Sequence, residues 1–351
     1  ARIIACLAQD NIAVVSLRVQ FEGMGAHASC LSDCTAVQVE DTDLSESYSL
    51  GKKIGQGSFG TVYSCTSKGS NQEYAVKRVG MRKTTIAEAI HEVRMLRKLA
   101  HPYVVKLHDV YYNASYIDLV FDMYRGGDLV SAMRHHFESK GDIAIASVQN
   151  LTMQLFRSIE WLHSNRVVHR DVKADNLLLD RVDLEHPDCR VYLCDFGVAA
   201  KVGEERLDKL CGTEQYWAPE VYLRSYSFKV DVWAAGVITY CLVTRRFPFA
   251  GKRQVLSKEI HTPFRCGSAG ESFLASALER LEASRLSAAE ALEHAFLARA
   301  EAAAAWRGLW APWKDSMEEW RAISAATTMA SSGVSSQGPS QPAAAGWFDG
   351  W

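Results

Sequence analysis

Three glycines, Gly55, Gly57 and Gly60, stand in the run GQGSFGTVYSCTSKGSNQEYAVKRV, whose other residues largely alternate as a strand does. Glycine lacks the Cβ that would hold a bulky ligand off the backbone, so this spacing suits a tight turn that lets an anionic group come close. A plain hairpin turn would use the same residues, and the spacing alone leaves both readings open. Lys77 follows in apolar company, AVKRV, where a lone cation has little reason to be buried unless a carboxylate meets it. Glu92 is the best-placed carboxylate downstream, and Glu88, one turn earlier, competes with it. Further on, HRDVKADN and CDFGVA gather acids, an amide and a second lysine within a short stretch.

These residues need elements to bring them together. Alternation through YSLGKKIGQG, TVYSCTS and EYAVKRV, with KGSNQ as a turn, predicts a small antiparallel sheet. TTIAEAIHEVRMLRKLA places Ile86, Ile90, Val93 and Leu96 at helical spacing and stops before His101-Pro102, which predicts one helix against that sheet. After YIDLVFDMYRGGDL, a strand running into a glycine turn, the pattern becomes helical, as in SVQNLTMQLFRSIEWLHSN and VDVWAAGVITYCLVTR. The expected fold is α+β and two-lobed: a small antiparallel-sheet lobe with one main helix, then a larger helical lobe.

At 351 residues the chain has room for two lobes plus tails. Lys+Arg 39 against Asp+Glu 41 gives no basic footprint, so neither nucleic acid nor a membrane surface is expected as a partner. The apolar opening ARIIACLAQDNIAVVSLRV is broken by Asp10 and Asn11 and reads as neither signal peptide nor membrane span. Nine cysteines without a repeating frame suggest reduced thiols, as in a cytoplasmic or nuclear protein. Residues 1–47 are an unassigned extension with one strand-like segment. Residues 299–326 place Trp306, Trp310, Trp313, Met317, Trp320 and Ile323 at helical spacing, a docking helix that could fold back on the chain. Residues 327–351, rich in Ser, Gly, Pro and Ala, are expected to be disordered.

The glycine loop, AVK, HRDVKADN, CDFGVA and APE occur in this order, and over residues 48–298 the chain resembles the eukaryotic protein kinase family. The resemblance implies transfer of the ATP γ-phosphate to protein substrates, with Mg²⁺. The glycines would cover the phosphates, Lys77 would hold the α and β phosphates, and Glu92 would pair with Lys77. Asn176 and Asp195 would bind magnesium; Asp171 would accept or orient the substrate hydroxyl proton, with Lys173 beside the γ-phosphate. The adenine would lie between Val62 and Ala75 above and Leu178 below, with Phe121 to Met123 as gatekeeper and hinge. Asp128 would meet the ribose hydroxyls or a basic substrate residue. Leu96, Leu107, His169 and Phe196 match the family's hydrophobic column, and Asp231 its anchor.

Lys173 and Thr213 resemble serine/threonine rather than tyrosine kinases, and the motifs are most like those of the calcium/calmodulin-dependent group. Asp128 and Asp175 resemble positions that such kinases use to recognise an arginine near the target hydroxyl. Between Ala199 and Gly212 there is no Ser, Thr or Tyr to phosphorylate. Glu204, Glu205 or Asp208 is therefore expected to meet Arg170, with Lys209 pairing with Glu88 and Arg285 with Glu220. A pseudokinase scaffold that binds nucleotide and partners without turnover is the competing reading; it is disfavoured because Lys77, Glu92, Asp171, Asn176 and Asp195 are all present.

Overall fold

The computed structural model describes residues 43–301 except 57–59, 81–82, 114, 258 and 261–263. The extension before residue 43, Gly57, almost all of the tryptophan-rich segment and the tail that follows it lie outside the described residues. A one-turn helix α1 (Leu44–Ser47), capped by the Asp43 carboxylate on the Ser45 N–H, leads into β1 (Tyr48–Gln56). The sheet continues through β2 (Thr61–Ser67), β3 (Glu73–Gly80), β4 (Leu107–Tyr112) and β5 (Tyr116–Asp122), all antiparallel in the order β1-β2-β3-β5-β4.

Helix α2 (Lys83–Lys98) crosses between β3 and β4. Its Ala89, Ile90 and Val93 pack on Val79, Ile117 and Leu119 of the sheet, all buried. This apolar contact sets the rotation of the helix and thereby the direction of Glu92. On the opposite side of the sheet Tyr48, Cys65, Val76, Tyr111 and Val120 form a second cluster with Leu44. The strand pattern buries both faces because each is covered, one by α2 and the other by the chain entering β1.

The larger lobe begins with β6 (Gly127–Asp128), α3 (Leu129–Ser139) and α4 (Ile145–Ser164), followed by β7 (Val167–Val168), β8 (Leu177–Leu179), β9 (Val191–Leu193) and β10 (Ala200–Lys201). The short strands pair as β6-β8-β9 and β10-β7. Helices α5 (Pro219–Tyr222), α6 (Lys229–Thr244), α7 (Lys252–Ser257), α8 (Gly267–Ala277), α9 (Ala288–Glu293) and α10 (Ala295–Glu301) complete it. Helix α6 is apolar on nearly every side and buried from Val230 to Thr239, as a helix at the centre of a core must be.

Two buried polar groups, one in this lobe and one preceding it in the chain, brace the fold. Arg285 grips both carboxylate oxygens of Glu220, each residue almost wholly buried, and its guanidinium lies 5.0 Å from the Trp233 ring centre. The expected pairing of Arg285 with Glu220 is thus present, and it ties the start of α5 to the segment before α9. Closer to the sheet, His101 is 7 % exposed and stacks on Trp161, and its Nδ1 accepts the Tyr103 N–H. Burial, with the Arg157 charge adding to it, pushes the His101 pKa down to about 3.

The unfolded chain therefore takes up a proton below its ordinary value of about 6.5 that the folded chain refuses. Stability should fall as the pH drops through that window, by about 2 kcal/mol between about pH 7 and about pH 5. In His101→Asn this contribution should vanish; urea denaturation midpoints of both proteins at the two pH values measure it, and equal pH slopes would refute the assignment.

Candidate active site

The roof of the cleft follows from strand register. Gly55 faces Val62 across β1 and β2, Val62 faces Lys77 across β2 and β3, and Ala75 faces Phe121 across β3 and β5. Directly opposed residues share a face, and so do residues two apart on one strand, so Val62, Ala75, Lys77 and Phe121 point the same way. The floor comes from the larger lobe, where β6 pairs with β8 and sets Asp128 opposite Leu178. Between them opens a cleft of about 680 Å³. Gly55, Val62, Ala75, Lys77, Phe121 and Met123 line it from one side; Asp128, Asn176, Leu178 and Asp195 line it from the other.

Lys77 Nζ lies 2.6 Å from Glu92 Oε2 and 3.9 Å from Asp195 Oδ1. Burial alone would lower the Lys77 pKa, but the Glu92 and Asp195 carboxylates outweigh it and push it up to about 12, so the ammonium keeps its charge. Glu88 makes no ion pair with Lys77 among the described residues, because the packing of Ile90 and Val93 on the sheet directs Glu92 to it. The neighbouring His91 donates from Nε2 to the Ala199 carbonyl at 2.7 Å, which joins α2 to the segment after the DFG triplet.

A second cluster surrounds Asp171. Its Oδ1 accepts the Thr213 hydroxyl at 2.8 Å, its Oδ2 lies 2.9 Å from Lys173 Nζ, and Asn176 Nδ2 donates to both its backbone carbonyl and Oδ2. Lys173 Nζ also donates to Thr213 Oγ1 at 2.9 Å. The loop carrying these groups hangs from α6: the backbone N–H groups of His169 and Arg170 both donate to the buried Asp231 carboxylate, at 2.8 and 2.9 Å. Burial would raise the Asp231 pKa, yet the hydrogen bond from His163 and the neighbouring histidines hold it below the ordinary carboxylate value. His169 and Phe196 are fully buried and meet edge to face at 4.9 Å.

Three features differ from the reading of the sequence or go beyond it. Arg170 is met by no acid among the described residues: its Nε donates to the Val198 carbonyl at 2.7 Å and its NH1 to the Tyr226 hydroxyl at 3.5 Å. Among the described residues Glu204, Glu205 and Asp208 make no ion pair with it, and no ion pair joins Lys209 to Glu88; two neutral oxygens stand where the acid was expected. Gly60 owes its type to packing rather than to a ligand, since a Cβ there would sit 2.5 Å from the Arg78 carbonyl oxygen. A Cβ at Gly55 would meet only ordinary contacts at 3.7 Å and beyond, so the protein itself imposes no such demand there.

Gly212, not singled out from the sequence, is the third. It has φ +82°, and a Cβ on it would lie 2.2 Å from the Arg170 carbonyl oxygen. Its place directly before Thr213 was the available signal.

Cation chemistry can be judged from the donors. Asp195 and Asn176 offer hard oxygens to the cleft, and no group of three or more His, Cys, Asp or Glu able to hold a metal occurs among the described residues. Such a pair fits a magnesium ion that completes its shell with phosphate and water oxygens, and does not fit a metal caged by protein alone.

The sequence profile of the protein kinase domain matches residues 48–297. Calcium-dependent protein kinase 11 of Arabidopsis thaliana is 32% identical over 286 residues, covering 77% of this chain and 56% of the relative. The human serine/threonine-protein kinase DCLK2 is 36% identical over 221 residues, 62% of this chain and 28% of that protein. Calcium/calmodulin-dependent protein kinase type II of Caenorhabditis briggsae is 36% identical over 214 residues, 59% and 39% of the two chains. The chain spans about half the length of several curated relatives that it matches.

Replacing Gly212 by alanine should strain the backbone and push the Thr213 hydroxyl off Asp171. About 1–3 kcal/mol of strain corresponds to a loss of roughly ten- to a hundredfold in turnover or an equal loss of stability. Thermal unfolding and steady-state rates of Gly212→Ala would separate the two, and an unchanged protein on both counts would contradict this role.

Proposed function

This chain belongs to the protein kinase family, and we propose that it transfers the γ-phosphate of ATP to serine and threonine hydroxyls of protein substrates. The observation that carries the reading is the Lys77–Glu92 pair beside Asp195 in the cleft, linked through Asn176, which also lines the cleft, to the cluster of Asp171, Lys173 and Thr213. We divide the chain into a catalytic domain at 48–298, an extension before it, and a tryptophan-rich segment and tail after it.

In this reading the apolar side chains of Val62, Ala75 and Leu178 hold the adenine, and Phe121 and Met123 bound its inner edge. Gly55, Gly57 and Gly60 form the loop over the phosphates, Lys77 binds the α and β phosphates, and Glu92 keeps Lys77 extended into the cleft. A magnesium ion held by Asp195 and Asn176 would offset the charge on the phosphate oxygens. Asp171 orients the target hydroxyl and takes its proton as the oxygen bonds to the γ-phosphorus and the bond to the bridging β–γ oxygen breaks, releasing ADP. Lys173 stabilises the transferring group. Asp128 accepts the Ser131 N–H and hydroxyl as the cap of α3, at 2.8 and 2.9 Å, and its carboxylate faces the cleft where a ribose would lie. Asp175, without a hydrogen-bonded partner among the described residues, is the better placed of the two acids to receive a basic substrate residue.

The same reading includes activity without phosphate on the activation segment. Tyr226 donates its hydroxyl to the Lys209 carbonyl at 2.5 Å, the backbones of Leu207 and Tyr226 exchange two hydrogen bonds, and Arg206 reaches Ser225 and Glu282. These contacts support an ordered segment in which Tyr226, rather than a phosphate, faces Arg170.

Transfer of radiolabelled phosphate from ATP to Ser- and Thr-centred peptides should be measurable with magnesium, and Asp171→Asn should lower it at least a hundredfold, within the range of a lost general base. Nucleotide binding without transfer would favour the scaffold reading. Phosphatase treatment should leave turnover unchanged, whereas Tyr226→Phe, which removes a hydrogen bond of about 1 kcal/mol, should lower it about fivefold. Turnover that vanished on phosphatase treatment would refute the phosphate-free segment.

A further inference from the structure

A second groove, of about 470 Å³, opens beside the Asp171 cluster. Thr213, whose hydroxyl binds Asp171, lies on its wall, and Asp175 lines both this groove and the nucleotide cleft. A polypeptide presenting a hydroxyl to Asp171 would therefore run its flanking residues through this space. One wall is apolar: Phe247 is 47 % exposed and its ring meets Tyr216 edge to face at 5.5 Å.

The charge of the groove is one-sided. Arg134, Arg245 and Arg246 line it against the single acid Asp175. Arg245 is bound to Asp142 through its Nε at 2.8 Å and lies over the Phe137 ring at 5.0 Å, so it is already committed. Asp142 is also shared with Arg265, at 3.6 Å, so that one carboxylate serves two guanidinium groups. The side chains of Arg134 and Arg246 are exposed and have no carboxylate partner among the described residues. An exposed arginine is ordinarily solvated and needs no explanation, but two that line a half-apolar groove contiguous with a catalytic carboxylate present fixed fork-shaped donors to whatever passes through it.

We propose that Arg134 and Arg246 recognise an acidic side chain, Asp or Glu, that flanks the target hydroxyl of the protein substrate. This rests on the transfer reading above and adds to it a requirement on the substrate that the two cleft aspartates do not supply. A carboxylate entering the groove would bond to either guanidinium while its stem and neighbours lay against Phe247. An arginine at that place, between Arg134 and Arg246 rather than at Asp175, would face two uncommitted like charges, so the groove discriminates by repulsion as well as by attraction.

The test separates recognition from chemistry. Fluorescein-labelled peptides with alanine in place of the target serine, and with Glu, Arg or Ala in turn at each position within about four residues of it, are titrated with the full chain and read by anisotropy. At one position or more the Glu peptide should bind about tenfold tighter than its Arg counterpart, as expected for a charge-assisted arginine–carboxylate contact. The double variant Arg134→Ala, Arg246→Ala should bring the two within about twofold, whereas Arg134→Lys with Arg246→Lys, which keeps the charge but not the fork, should retain part of the preference. Thermal melting of each variant verifies that these surface changes leave the fold intact. Preference for Glu at no position, or a preference that survives in the alanine variant, overturns the assignment. Serine versions of the same peptides report on the other reading: binding preference without phosphate transfer would retract the kinase activity and keep the groove, while transfer without the preference would retract the groove alone.

Discussion

The Asp231 carboxylate, buried at the start of α6, is the contact on which the catalytic geometry depends. A carboxylate removed from water costs several kcal/mol unless its lone pairs are taken, and here they are taken by two consecutive backbone N–H groups and the His163 ring. Satisfying that charge requires the chain at His169 and Arg170 to bend into it, and Arg170 accordingly adopts φ 68°, a conformation that a residue with a Cβ rarely takes. The bend presents Asp171 on the outside of the loop. The same group that would destabilise the core if left alone thus fixes where the Asp171 carboxylate stands.

From this loop the constraint spreads in two directions. Upward, His169 packs on Phe196, and Asp195 beside it takes φ 65°, turning its carboxylate toward Lys77. Outward, Gly212 is pressed against the Arg170 carbonyl, which leaves no room for a side chain and brings Thr213 to Asp171. Strained backbone at Arg170 and Asp195 is tolerated because buried hydrogen bonds and packing over-determine it, while Gly212 takes its positive φ without strain. The cleft is accordingly organised before any ligand enters, which would lower the reorganisation needed for the proposed in-line transfer.

Charge in the molecule is arranged by the same logic of neutralisation. Lys77 with Glu92, Arg285 with Glu220 and Arg78 with Asp118 are paired at hydrogen-bonding distance and largely sheltered. Arg134 and Arg246, exposed and without a carboxylate partner among the described residues, line the groove beside the Asp171 cluster. The activation segment shows the alternative solution: Arg170 is satisfied by a carbonyl and a phenol, and its acidic neighbours Glu204 and Glu205 are left to solvent.

The order of elements and the identity of the cleft residues were legible from the chain alone. Strand and helix periods in the first lobe depend on local alternation, and the glycine loop, AVK, HRDVKADN and DFG residues form local groups of the types that the proposed phosphate, metal and proton chemistry would need. What meets Arg170 was not legible, because acids near in sequence and a tyrosine on a distant segment are equally able to satisfy a guanidinium, and only the pairing of Leu207 with Tyr226 selects between them. The same is true of Gly212 and of the groove. A glycine's need for space is set by the backbone that crosses it, and the one-sided charge near Asp175 arises because α3 and the end of α6, far apart in the chain, place Arg134, Arg245 and Arg246 on one groove. Residue chemistry is written locally; which groups must share one space is decided by packing.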